Sequence, residues 1–278
     1  MERVRAVLAE STRDLNCQTV IRPSNLGLAE SVISGVTEVM QSFESVIVLE
    51  DDLIVSKDFL RFMHWGLRRF KEDQRVFSVT GFSFPSEYFS FPSNYNQSVF
   101  LSPRCNSWSW GTWRDRWERV GWGINEFEGL LLDRSQRERL NRVGWDFSRM
   151  LQFQKAGRID SWAIRFCFSH FKHSAFCLHP VSTLVHNLGL DGTGTHSLRD
   201  RRFMHHEFFD SWNPHEDDEL VKPHSEINDE IYRIFAGQNG PLLSRLRGLL
   251  SRSFLGQIAQ KLVLERKSRA RNSKSLRG

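Results

Sequence analysis

Apolar residues recur every three to four positions across residues 28–40. Leu28, Val32, Ile33, Val36, Val39 and Met40 fall on one stripe, and Glu30 and Glu38 fall off it. That period predicts an amphipathic helix. The pattern then changes. Val46-Ile47-Val48-Leu49 is an unbroken, β-branched run that ends in Glu50-Asp51-Asp52. Such a run predicts a strand of the kind buried inside a parallel sheet. The helical period returns with Phe59, Phe62, Met63, Leu67 and Phe70. Ser56 is the expected N-cap, Asp58 sits in the first turn, and Arg68, Arg69 and Lys71 close the negative end. Val76–Thr80 reads as a strand stopped by Gly81. Helix, strand, acids, helix, strand predicts a βαβ crossover with carboxylates at a strand tip.

Downstream the pattern is less regular. Residues 82–100 are rich in Phe, Ser, Pro and Asn and predict an ordered loop, with a short strand at 99–101. Helices are expected from 114 to 119, 134 to 150, 145 to 156 and 159 to 170. Phe176–Leu178 predicts a strand that continues from Pro180 to Val185. Asp191-Gly192-Thr193-Gly194-Thr195 has loop composition, residues 206–230 are acidic and end helical, and a boundary falls at 237–240. The expected organisation is one domain over 1–236 and a basic amphipathic tail over 237–278.

With 278 residues, the chain can form one large α/β domain or two small ones. Its 40% hydrophobic and 26% charged content is that of a globular protein. Nine Trp and 22 Phe predict a bulky core, with one or two Trp left over for a site. No run of 18 apolar residues and no leader pattern occurs, so a cytoplasmic chain is expected. Cys17, Cys105, Cys167 and Cys177 lack metal-binding spacing and read as reduced thiols. The charge changes the picture more. Residues 241–278 carry ten Lys or Arg against Glu265 alone, so the tail holds +9 and the remainder −4 of the total +5. The basic balance belongs to the tail, which argues against a nucleic-acid-binding domain. Leu242, Leu243, Leu246, Leu249, Leu250 and Phe254 interleave with its arginines. That pattern fits a helix lying on an anionic membrane surface, or a solvated helix.

Three adjacent carboxylates repel one another and cost free energy unless a cation or hydrogen-bond donors compensate. A divalent ion holding a phosphate meets that need, and a solvated acidic turn is the other reading. On a continuing strand Glu50 and Asp52 share one face and Asp51 takes the other. All three reach one ion only if the backbone turns.

Asn25-Leu26-Gly27-Leu28, then Glu50-Asp51-Asp52 with Asp58-Phe59-Leu60, then Gly81 resemble the core of a GT-A-type glycosyltransferase. The likeness is to bacterial relatives of N-acetylglucosaminyltransferase I and family-2-type sugar transferases. Ser107-Trp108-Ser109-Trp110-Gly111-Thr112-Trp113-Arg114 is similar to their Trp-Gly-rich segment. Asp160-Ser161-Trp162, Pro180, Asn187, Gly189 and His196 match their second half. The resemblance implies an α/β fold with a Rossmann-like mixed sheet flanked by helices. Such proteins begin with a strand and a loop that grip the nucleotide. Here the chain opens on a predicted helix, Glu2–Leu8, so the fold is expected to be N-terminally truncated and to end in a helical tail.

The resemblance further implies an inverting transferase that moves a sugar from a nucleotide-diphosphate donor to a hydroxyl of a glycan or lipid-linked acceptor. Asp52 would hold Mn²⁺ or Mg²⁺, with Glu50 and Asp51 touching sugar and ribose, and Asn25 and His196 also on the donor side. Trp110 and Gly111 would wall the acceptor, where glycine permits close approach. Asp160 would be the base, with a helix N-cap as its other role and Asp146 as the second choice of base. Arg104 is a weaker candidate for a phosphate contact. Two other classes compete: a non-catalytic remnant that only binds, and a metal-dependent phosphohydrolase. The second lacks the acids of a two-metal site.

Overall fold

The computed structural model describes residues 2–191, 211–215, 218 and 220–239. Its elements in chain order are α1 (Glu2–Ser11), α2 (Leu28–Met40), β1 (Ser45–Val48), β2 (Leu53–Val55), α3 (Phe59–Arg69), β3 (Val76–Thr80) and β4 (Val99–Ser102). There follow β5 (Trp110–Trp113), α4 (Arg114–Trp117), α5 (Asn125–Leu132), α6 (Arg134–Asn141), α7 (Phe147–Lys155) and α8 (Trp162–Lys172). The last are β6 (Phe176–Pro180), β7 (Val185–Asn187), a 3₁₀ turn (Leu188–Asp191) and α9 (Ser225–Asn239). The tail beyond Asn239 lies outside the described residues.

Five strands form a mixed sheet in the order β1-β5-β3-β6-β4, and β2 pairs with β7 in a separate two-stranded ribbon. β3 and β6 are parallel, and the other pairs are antiparallel. The chain is therefore α/β with helices on both faces of a mixed sheet. Side-chain alternation along the strands decides which helix each face meets. Ile47, Trp113, Val79 and Leu178 turn toward Phe59, Phe62, Met63 and Leu67 of α3. Val46, Val48 and Trp110 turn the other way, toward Ala29, Val36 and Met40 of α2 and Trp162 and Phe166 of α8. Each large side chain buried in these layers contributes about 1.5–3 kcal/mol. A third group, α5 to α7, packs Phe127, Leu140, Phe147 and Leu151 against Ile164 and Phe168 of α8.

Several expectations change. β1 is not inside a parallel sheet. It is an edge strand, half-buried at all four residues, whose one strand partner among those described is the antiparallel β5. β1 and β3 run the same way but do not touch, because β5 lies between them. The α2 stripe is narrower than its period implies: Leu28 and Val39 are 49% and 41% exposed. Ser56 does not cap α3, whose N-cap is Asp58. The sequence pattern did not predict β2, which sits between the acids and α3, β5, whose Trp-rich composition masked its alternation, or α5. The segment after Pro180 does not extend β6 but crosses to pair with β2. α9 runs on to Asn239 and so carries Gly237 within it. No helix among the described residues is long and apolar enough to cross a membrane.

Candidate active site

The acids follow β1 directly. The chain turns at Asp51-Asp52 and re-enters extended structure at Leu53, opposite Asn187. That turn breaks the two-residue alternation, so the strand geometry no longer sets where the three carboxylates face. The ribbon pins Asp52: the Leu188 N–H donates to its backbone carbonyl at 2.8 Å. The carboxylate lies over the Gly189 backbone so closely that a Cβ at Gly189 would collide with Asp52 Oδ2. Asn187 is buried and accepts the Gly189 N–H at 2.7 Å, which holds this glycine in place. Asp52 Oδ1 is buried with no hydrogen-bond partner among the described residues. Native structures leave few such atoms. Beside it, burial pushes the Glu50 carboxyl above the usual carboxylate range, and the Asp52 and Asp51 charges push it further.

This tip fits a cation that arrives with other ligands. It offers one open, desolvated carboxylate oxygen and a surplus of negative charge. No three His, Cys, Asp or Glu side chains converge as a ready cage among the described residues. One protein carboxylate with phosphate oxygens and water is a reasonable shell for Mn²⁺ or Mg²⁺.

The rest of the site is built on the same end of the sheet. Val48 and Thr80 both pair with Trp110, so the ends of β1 and β3 and the start of β5 are level. A chain of backbone bonds crosses this end: Ser56 N–H to Leu184, Leu184 N–H to Gly81, and Gly81 N–H to Ser109. Gly81 is required, since a Cβ there would stand 2.8 Å from the Phe59 ring and 3.1 Å from Ser109 Oγ. Ser109 itself has φ 55, which leaves the segment before β5 turned away from strand geometry. A cavity of about 240 Å³ is lined among others by Phe82, the residue after Gly81, and by Phe84, Trp108, Phe147, Ser161 and Phe235.

The other named residues divide. Asp160 sits one residue before Ser161 at the cavity wall, 64% exposed, with its carboxylate 2.9 Å from the Arg165 guanidinium. It is not the cap of α8, because Ser161 Oγ accepts the Ile164 N–H. Asn25 is exposed and accepts the Gly27 N–H at 2.8 Å, an Asx turn that sets the positive φ of Gly27. Trp110 and Gly111 do not line an open site. Trp110 is fully buried and stacked between Trp117 and Trp162, at 5.7 and 4.8 Å between ring centroids. A Cβ on Gly111 would stand 2.8 Å from the Val46 carbonyl, so this glycine serves sheet packing. Trp108, two residues earlier, is the indole at the cavity. Arg104 forms a two-point pair with Asp146, at 2.9 and 3.0 Å, and lies 3.8 Å over the Phe235 ring. Both partners are thereby committed to structure. His196 lies outside the described residues.

Sequence reasoning missed the roles of Asn187 and Gly189 as the floor under Asp52. Their signal was present as an Asn-x-Gly turn, but nothing local said which carboxylate it would meet. No family model matches the chain, and no curated protein matches it.

Proposed function

We propose that this chain is an inverting, metal-dependent glycosyltransferase of the GT-A type, using a nucleotide-diphosphate sugar and a glycan or lipid-linked acceptor. The observation that carries the reading is the buried Asp52 oxygen, without a hydrogen-bond partner among the described residues, just past the carboxyl end of β1. Ligands of α/β sheets bind at that end. Asp52 holds Mn²⁺ or Mg²⁺ together with the donor diphosphate. When bound, the cation supplies Lewis-acid stabilisation of the leaving diphosphate. Glu50 and Asp51 reach sugar and ribose, and their charge is compensated only when the donor complex is in place. Asp160 accepts the proton of the acceptor hydroxyl as that oxygen attacks the anomeric carbon from the side opposite the diphosphate. The new bond forms as the old one breaks, so configuration inverts. The exposed carboxylate of Asp160 and its place beside the cavity support this role.

Asp160→Asn tests it. Loss of a positioned proton acceptor lowers kcat by roughly 10²–10⁴, while donor Kd stays within twofold. A near-normal kcat would remove Asp160 from the mechanism.

A second reading is a remnant that binds sugars without transferring them, and one observation favours it. The outer edge of β1 faces a groove of about 770 Å³ along Val46–Leu49 and α2. Phe43, Leu49 and Val20 are 61%, 46% and 55% exposed around it. An unpaired edge beside exposed apolar surface is a poor end for a sheet. Donor or acceptor binding with no sugar transfer would support this reading, and measurable transfer would overturn it. In the transferase reading, we propose that the basic tail holds the protein at the inner membrane face. Co-sedimentation with anionic vesicles should be lost on truncation at Gly240.

A further inference from the structure

The cavity behind Trp108 is apolar for a reason that can be read residue by residue. Several of its polar groups are engaged within the protein. The Arg104 guanidinium is spent on Asp146. Asn106 Oδ1 accepts the Trp108 N–H at 2.7 Å. His179 places Nδ1 2.9 Å from the Phe82 carbonyl, and burial lowers its pKa to about 4, so the ring is neutral. Phe82, Phe84, Trp108, Phe147, Met150 and Ile164 supply the apolar part of the lining; Ser107 and Ser161 also line it, Ser161 being the residue next to Asp160. A pyranose seated here would bury several hydroxyls against rings and methyls. Each unpaired hydroxyl costs free energy, whereas a hydrocarbon group gains by leaving water.

We propose that this cavity binds the apolar aglycone of the acceptor, an alkyl or aryl group attached next to the hydroxyl that is glycosylated. The acceptor hydroxyl then lies at the Ser161–Asp160 rim and the apolar group lies inside. The substrate class is a lipid-like or aryl-linked acceptor, not a free sugar. α9 takes part, because Phe235 closes the cavity by packing on Phe84 and Arg104. The word acceptor rests on the transferase reading. The affinity for an apolar group does not.

The test is equilibrium binding without nucleotide or cation. The probes are n-octyl β-D-glucopyranoside below its micelle concentration, phenyl β-D-glucopyranoside and methyl β-D-glucopyranoside. The octyl or phenyl glucoside should bind saturably, at least tenfold more tightly than the methyl glucoside. The arm that binds more tightly tells alkyl from aryl. Ala163→Leu extends a side chain of the cavity wall into the space and should weaken that binding at least tenfold without lowering Tm. Met150→Glu, at a half-buried wall position, is the second variant and should do the same. Methyl glucoside binding equal to the others would overturn the proposal. So would absence of binding by any probe, or binding that both variants leave unchanged. If glucosides bind as proposed while the protein never takes up a nucleotide diphosphate, the transferase reading fails and the cavity assignment stands.

Discussion

Strands β1 and β3 lie in one sheet, separated by β5 alone, yet β3 is buried at all five residues and β1 is half-buried at all four. β3 has strands on both sides, α3 on one face and α8 on the other. Even its polar side chains are paired: Ser78 Oγ meets His170 Nε2 at 2.7 Å, and Thr80 Oγ1 donates to the Trp108 carbonyl at 2.9 Å. β1 ends in an uncompensated carboxylate oxygen and a glutamate whose charge is penalised. The difference teaches where this molecule stores stability and where it gives it up. The β3 strand is packed, and its own polar side chains are paired. The β1 tip is polar, strained electrostatically and held from beneath by a glycine. A binding site needs the second kind of region, and the first kind keeps it in register.

Mutations should separate the two. Trp110→Ala removes a fully buried indole from the packed side, between Trp117 and Trp162. It should cost roughly 3–5 kcal/mol of stability. A melting curve checks this, and a Tm within about 2 °C of wild type would break the contrast. Gly189→Ala acts on the tip. The new methyl displaces the Asp52 carboxylate, so nucleotide-dependent Mn²⁺ affinity should fall at least tenfold, while Tm moves by only a few degrees. Unchanged Mn²⁺ affinity would show that the Asp52 position does not matter.

The smallest effect is also the most specific. Glu50 has its pKa raised in the fold, above its value in the unfolded chain. The folded state therefore binds more protons between those two values, and the stability due to the neutral form is lost as pH rises through the folded pKa. Glu50→Gln keeps the shape without the charge. It should raise Tm slightly at pH 7, and the gain should vanish below the ordinary glutamate range. Mn²⁺ with UDP should shrink the gain at pH 7, because the cation relieves the same repulsion. A gain that persists at low pH would mean that packing, not charge, is responsible.

Local pattern carried much of this architecture. The period of α2 and α3, the run of β1 and the stop at Gly81 each rest on nearest-neighbour chemistry, and each element is present. What was not legible depends on which strand pairs with which. The unbroken apolar run of β1 looks the same at an edge as at the centre of a sheet, because the exposure of its outer edge is set by neighbours distant in sequence. β5 alternates from Trp110 to Trp113 only, because Ser109 turns the chain just before it, and its run of Trp, Gly and Thr does not show a clear polar face. Trp110 therefore stood as an acceptor wall when its neighbour two residues earlier is the one at the cavity. Asp160 also reads as the cap of α8, but Ser161 caps it and Asp160 pairs with Arg165: either residue type caps a helix well, and only the backbone turn before Trp162 decides between them. At the site, the acids were conspicuous as a triplet, but the floor beneath them comes from β7, more than 130 residues further along.

The central claim is that Asp52 holds a divalent cation only as part of a nucleotide-diphosphate complex. Titration of Mn²⁺ into the wild-type chain and into Asp52→Asn, each with and without UDP, tests it most directly. The account predicts saturable Mn²⁺ binding by the wild type in the presence of UDP, at least tenfold weaker binding in its absence, and loss of the UDP-dependent gain in Asp52→Asn with Tm preserved. Equal Mn²⁺ affinity with and without UDP, or a gain that survives in Asp52→Asn, would contradict it.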